Sequence, residues 1–132
     1  MLIIIELLAA GVNANISNMK GTTPLHLACQ KDYRMAKELL AAGADANIPD
    51  LDGRTSLHHA CSQVNAEIVQ ILIDAGADTM AKDNQGKTAW DLTQARASRG
   101  AFLNQDSYFY QQYVKVEEIF RRNKNTLQGN NM

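Results

Sequence analysis

The chain has 132 residues, 45% of them hydrophobic, with 13 basic and 14 acidic side chains for a net charge of −1. This length suits one domain. The even charge balance excludes a strongly basic nucleic-acid binder and an acidic disordered chain. Two cysteines, Cys29 and Cys61, are too few for a disulfide scaffold and read as reduced, buried thiols of an intracellular protein.

The chain opens on an apolar run, residues 1–10, that looks like a signal-peptide core. It has no basic leader, Glu6 interrupts it, and it falls short of the roughly 20 residues that a membrane span needs. It reads as a helix ending at Gly11. Thr23-Pro24 opens the next helix, Thr capping free N–H groups and Pro fitting the first turn. Leu25, Leu27 and Ala28 give this helix a small apolar face. A turn near Asp32 leads to a second helix at about residues 34–42, where Met35, Leu39 and Leu40 recur at helical spacing. Gly43 ends it in a left-handed conformation. Residues 45–52 form a polar excursion whose turn Gly53 closes.

The pattern then repeats. Leu7-Leu8-Ala9-Ala10-Gly11 aligns with Leu39-Leu40-Ala41-Ala42-Gly43 and with Leu72-Ile73-Asp74-Ala75-Gly76. Thr23-Pro24-Leu25-His26-Leu27-Ala28 aligns with Thr55-Ser56-Leu57-His58-His59-Ala60, and Thr88-Ala89-Trp90-Asp91-Leu92 is a weaker third copy. The unit is helix, turn, helix and projecting hairpin, about 33 residues long, with one residue fewer near Lys31-Asp32. The predicted fold is therefore mainly α, a solenoid of stacked helix-turn-helix units with projecting β-hairpin loops.

These residues resemble the ankyrin repeat family. Residues 23–28 match one of its signatures throughout, Gly43-Ala44-Asp45-Ala46-Asn47 matches its second, and residues 50–53 match its hairpin turn. The resemblance covers about residues 1–100 and divides the chain into five parts. Residues 1–20 are the C-terminal half of a first repeat with its hairpin. Residues 21–52 and 53–85 are full repeats. Residues 86–122 are an atypical capping repeat with an insertion between its helices, and residues 123–132 are a disordered tail. The absent first half of repeat one suggests a C-terminal part of a longer array, against a natural start at a half-repeat cap.

Departures from the family pattern are local. Ser56 replaces proline, Val64-Asn65 replace Gly-His, Ala89-Trp90-Asp91 replace Pro-Leu-His, and Thr93 replaces alanine. Trp90 is expected to help cover its end of the array. After Gly100 lie Phe102, Tyr108, Phe109, Tyr110, Tyr113 and Phe120. Ser107 could cap a helix reaching about Arg122, on which Phe109, Tyr113, Val116 and Phe120 form one stripe. The stripe reads as core, with Phe102, Tyr108 and Tyr110 as an alternative anchor for a partner.

No catalytic set emerges. His58 and Cys61, with His26 and Cys29 a repeat earlier, share a helix face in a spacing that a metal could use. The family resemblance instead makes the histidines structural, bonded to the adjacent Thr-containing turn, and the cysteines packing residues. Asp45, Asp50, Asp52, Asp78 and Asp83 recur with the hairpins, which marks turn chemistry rather than acid–base chemistry. Phosphate loops, nucleophile elbows and His-Glu metal motifs are absent, so neither an enzyme nor a cofactor is expected. Asn15 and Asn47 match the hairpin asparagine that ankyrin proteins can have hydroxylated in animal cells, or they brace the hairpin.

The resemblance implies non-catalytic recognition of a protein partner through hairpin tips and the concave inner-helix face. Positions that vary while the framework recurs are the candidates. These are Met19 and Lys20, Leu51 and Asp52, and Lys82, Asn84 and Gln85 at the tips. Thr22, Arg54 and Lys87 follow the turns, and Gln30, Lys31, Ser62 and Gln63 lie on the inner helices. Mixed charge without aromatic–basic alternation argues against nucleic acid. Leu2, Ile3, Ile4 and Ile5 are a candidate surface for self-association. A second reading makes the chain a regulatory or targeting segment of a larger enzyme or of a bacterial effector secreted into a host cell. A third makes it a truncated fragment.

Overall fold

The computed structural model describes residues 13–30, 32–98 and 107–131, residues 124–131 by backbone alone. The expectations for Leu2, Ile3, Ile4, Ile5, Lys31 and Phe102 lie outside the described residues. Among the described residues there are six helices, in order: α1 Pro24–Ala28, α2 Tyr33–Ala41, α3 Ser56–Ser62, α4 Ala66–Asp74, α5 Ala89–Ala97 and α6 Tyr108–Asn131. Each of the two full repeats contributes an antiparallel pair, α1/α2 and α3/α4, and the pairs stack.

Local chemistry sets the helix ends. Thr23 sits in extended backbone and its hydroxyl accepts the His26 N–H at 3.3 Å. Asp32 accepts the Met35 N–H at 3.0 Å and Asn65 the Ile68 N–H at 3.1 Å, so α2 and α4 are capped by short polar side chains. Gly43 and Gly76 both take φ +94°, and the following Ala44 and Ala77 N–H groups return to Leu39 and Leu72 carbonyls at 3.0 Å. Val64 turns α3 into α4 with φ +53°. A β-branched residue there costs about 1–2 kcal/mol, which burial of its side chain, worth about 1.5–3 kcal/mol, offsets.

Leu25, Leu39, Leu57, Ile68, Leu72 and Val116 are fully buried between the layers. Cys29 and Cys61 are buried beside them, filling small positions where the inner helices meet. Leu27 departs from the expected apolar face of α1 and is 59% exposed. The reason is geometric: Leu25, His26, Ala28 and Cys29 already face inward, so the residue between them points out. Thr93, in place of alanine, donates its hydroxyl to the Cys61 carbonyl at 3.2 Å and remains buried.

Helix α6 packs along α4 through Gln112, Val116 and Ile119, with Gln112 Oε1 accepting the Ala66 N–H at 3.2 Å. The expected stripe is rotated in part. Val116 is buried, while Phe109, Tyr113 and Phe120 flank the core half-buried. Trp90 meets the Tyr113 and Phe120 rings at centroid distances of 5.7 and 5.5 Å, which covers part of this flank. Tyr108 is 78% exposed and Tyr110 half-buried. The helix runs to Asn131, past the end near Arg122 that the sequence predicts. Composition predicts whether a segment can bury a core. Continuing a nucleated helix needs only one backbone hydrogen bond per added residue, and no proline follows.

The hairpins are single turns. The Asn18, Asp50 and Asp83 N–H groups donate to Thr22, Arg54 and Lys87 carbonyls at 3.0, 2.9 and 2.8 Å. One such pair per loop gives the hairpin path without a β-ladder, and no strand occurs among the described residues.

Candidate functional site

The turn residues position the tips. Asn18 Oδ1 accepts the Lys20 and Thr22 N–H groups at 2.9 and 3.0 Å, Asp50 Oδ1 those of Asp52 and Arg54 at 2.9 and 3.0 Å, and Asp83 Oδ1 those of Gln85 and Lys87, both at 2.9 Å. These are Asx turns. Successive tips are then bonded to one another. The Leu51 N–H donates to the Lys20 carbonyl at 3.0 Å, the Asn84 N–H to the Asp52 carbonyl at 2.9 Å, and Asn84 Nδ2 to the Leu51 carbonyl at 2.8 Å. Gly53 is required at this contact, because a Cβ on it would stand 2.8 Å from the Asn84 nitrogen.

Two further ladders lock the units in register. The Thr23 N–H donates to His26 Nδ1 at 3.0 Å, so the ring proton lies on Nε2, which donates to the Arg54 carbonyl at 2.9 Å. His58 repeats the arrangement with Thr55 and the Lys87 carbonyl at 3.1 and 2.9 Å. Burial pushes the His26 imidazole below its ordinary range, against the Arg54 carbonyl, which acts to raise it. At the far side of each loop, Asn15 Oδ1 accepts the Asp45 N–H and Asn47 Oδ1 the Asp78 N–H, both at 2.7 Å, while Asn47 Nδ2 donates to the Gly76 carbonyl at 3.1 Å. Both asparagines therefore brace neighbouring loops.

The resulting edge carries most of the expected contact residues. Met19 is 97% and Leu51 68% exposed on adjacent tips. Lys20, Asp52, Lys82, Asn84, Gln85 and Lys87 are exposed along the same edge, with Thr22 half-buried behind it. On the inner helices Gln30 and Gln63 are exposed and Ser62 is half-buried. Ser62 is held by its neighbours, its hydroxyl donating to the His59 carbonyl at 2.8 Å and its carbonyl accepting Arg96 Nη1 at 2.9 Å. Leu27, which the sequence places on a core face, is exposed, and Arg96, to which the sequence gives no role, holds the Ser62 carbonyl.

Arg54 has a structural task as well. Its Nε lies 3.5 Å from Asp83 Oδ2, with side-chain exposures of 35% and 1%. That carboxylate oxygen is buried and accepts no hydrogen bond among the described residues. One unit earlier, Asp50 Oδ2 bonds to His59 Nε2 at 3.0 Å. The residue corresponding to His59 in the next unit is Leu92, which offers nothing, so the Arg54 guanidinium supplies the compensating charge.

His26, Asp50 and His59 bring potential metal-ligand atoms within 4.8 Å of one another. The donor chemistry does not suit a metal. Both His26 nitrogens are committed, Nδ1 to the Thr23 N–H and Nε2 to the Arg54 carbonyl, and the His59–Asp50 bond completes a hydrogen-bond network. Burial pushes the Cys29 and Cys61 thiols up to about 12, so neither presents the thiolate that a metal or a nucleophile needs. Among the described residues no helix is long and apolar enough to cross a membrane.

The chain matches the family described as Ankyrin repeats (3 copies) over residues 2–89. No curated protein matches it.

Proposed function

Because the chain belongs to the ankyrin repeat family, whose repeats are generally protein–protein interaction modules, we propose that it recognises a protein partner non-catalytically through its hairpin tips and the exposed face of its inner helices. The observation that carries this reading is the continuous tip edge, hydrogen-bonded from hairpin to hairpin, with Met19 and Leu51 presented side by side to solvent. A rigid edge limits the ordering cost of binding, and adjacent apolar side chains ringed by polar ones are a suitable centre for a contact. Thr22, Gln30, Asp52, Ser62, Gln63, Asn84 and Gln85 form the surrounding polar surface in this reading, with Lys20, Arg54, Lys82 and Lys87 as its cations; Lys31, which lies outside the described residues, belongs to the reading from sequence alone. Two free, fully buried thiols suit an intracellular setting.

The test is affinity capture with the intact chain, compared with a Met19→Ser, Leu51→Ser, Lys20→Glu variant. All three side chains are exposed, so the circular dichroism spectrum and the melting temperature should stay the same while captured proteins are lost. Unchanged capture by a folded variant refutes the tip edge as the binding surface.

A further inference from the structure

The chain is nearly neutral, but folding sorts its charges. The tips and inner helices (residues 16–30, 49–63 and 82–97) carry five cations and four acids. The outer helices α2 and α4 and the loops on their side (residues 32–48 and 64–81) carry two cations and six acids. The acids of the first face are also withdrawn from contact. Asp50 and Asp83 make the turns, and each Oδ1 accepts two backbone N–H groups. Their Oδ2 atoms turn to His59 at 3.0 Å and to Arg54 at 3.5 Å, and the two side chains are 8% and 1% exposed. Asp91 is half-buried and accepts the Thr88 N–H at 2.9 Å at the start of α5. Among the described acids of this face Asp52 alone is exposed.

The cations stay available. Lys20, Lys82 and Lys87 are exposed, and none of them has an ion-pair partner among the described residues. Arg54 keeps its side chain 35% exposed while its Nε faces Asp83. The hydrogen bonds from tip to tip fix the order along the edge. The Lys20 carbonyl holds the Leu51 N–H at 3.0 Å, and the Asp52 carbonyl holds the Asn84 N–H at 2.9 Å, in the turn that Lys82 and Lys87 flank. Met19 and Leu51 therefore occupy the first two tips and Lys82 and Lys87 the third, with Lys20 beside Leu51 and Arg54 reaching the third tip.

An apolar pair next to a row of unpaired ammonium groups has a definite complement. On the reading of this edge as a protein-recognition surface, we propose that the partner presents an extended acidic segment, its apolar side chains on Met19 and Leu51 and its carboxylates on Lys20, Arg54, Lys82 and Lys87. Repulsion from the acidic outer side steers such a segment to the tips. The three tips hold no aromatic side chain on which a base could stack, which favours a peptide over single-stranded nucleic acid.

The probe is the blocked peptide N-acetyl-Glu-Glu-Leu-Leu-Glu-Glu-amide, whose sequence presumes no chain direction. It is titrated into the 15N-labelled full chain and followed by 1H–15N NMR at about 0.15 M salt, where screening confines charge effects to about 8 Å. Saturable shifts are expected at Lys20, Leu51, Gln85 and Lys87. The peptide with glutamine in place of glutamate should bind about tenfold or more weakly, and so should the acidic peptide to a Lys82→Glu, Lys87→Glu protein. An Arg34→Glu, Lys37→Glu protein undergoes the same change in net charge at exposed positions of α2 and should bind within about threefold. Blocked hexaglutamate, which lacks the apolar pair, should bind about threefold or more weakly. The proposal is overturned by no saturable shift, by equal binding of the glutamine peptide or of hexaglutamate, or by equal weakening from the two charge reversals. Tighter binding of a thymidine hexanucleotide at the same residues would assign the edge to nucleic acid and overturn it too. The tip edge as a recognition surface is tested separately: if the Met19→Ser, Leu51→Ser, Lys20→Glu chain loses its captured proteins while the acidic peptide does not bind, only the acidic character of the partner is refuted.

Discussion

Replacing Arg54 with methionine keeps the aliphatic stem and removes the charge that faces buried Asp83. An exposed ion pair is worth about 0–1 kcal/mol, and removing one partner of a fully buried pair costs about 3–5 kcal/mol. Here the carboxylate side chain is 1% exposed, the guanidinium side chain 35% exposed, and their separation is 3.5 Å. The case lies toward the lower bound, and Arg54→Met is expected to cost about 1.5 kcal/mol, or roughly 5 °C in melting temperature for a chain of this size. Asp83→Asn keeps the Oδ1 acceptor for Gln85 and Lys87 while removing the charge. The double variant should therefore recover most of the loss, with a coupling energy of about 1 kcal/mol. Urea denaturation of the four proteins of the cycle at pH 7 measures this. A coupling energy within about 0.3 kcal/mol of zero, the limit for independent sites, would refute the assignment of Arg54 as the compensating charge. Acid adds a second reading. Burial raises the Asp83 carboxyl, but the Lys87 and Gln85 N–H groups, His58 and Arg54 outweigh burial and hold it below its ordinary 3.8. A carboxyl depressed in the folded state stabilises above its unfolded value and loses that contribution as pH falls through the folded value. The Asp83→Asn protein should thus lose less stability than the parent below about pH 4.

Other expectations follow from the ladders. Gly53→Ala should cost more than Gly86→Ala, since both adopt positive φ but only at Gly53 would the new Cβ meet a neighbouring backbone. The φ strain alone is about 1–2 kcal/mol, and paired urea melts check the ranking. His26 is held neutral because Nδ1 must accept the Thr23 N–H. With its pKa lowered, mainly by burial, it stabilises fully above its unfolded 6.5 and loses that as pH falls below. The urea midpoint should fall between pH 7 and 5, and the His26 signals in NMR should titrate below 6.5. A flat midpoint, with His26 titrating at its ordinary value, would count against this role. Gln112→Ala removes the acceptor of the buried Ala66 N–H, at a cost of about 1–3 kcal/mol. Hydrogen exchange at Ala66 should accelerate.

Much of the fold was legible in the sequence because the repeat reports it several times over. Thr23-Pro24, Gly43 and Gly53 have local reasons for their conformations, and the same reasons recur at Thr55, Gly76 and Gly86. The tips were legible too, since Asn18, Asp50 and Asp83 make their turns within a few residues of themselves. Only the tertiary structure decided what crosses between units. Arg54 reads in sequence as a variable surface cation; packing places it against an acid whose counterpart one unit earlier is satisfied by His59. Leu27 reads as core until its inward neighbours occupy the space. The cavity of about 540 Å³ bounded by Met80, Asp91 and Phe120 depends on where a helix distant in sequence docks. Length and charge balance indicated one domain with a mixed surface. Which of those charges face solvent and which neutralise buried partners depends on distances between units, and those exist only once the repeats have stacked.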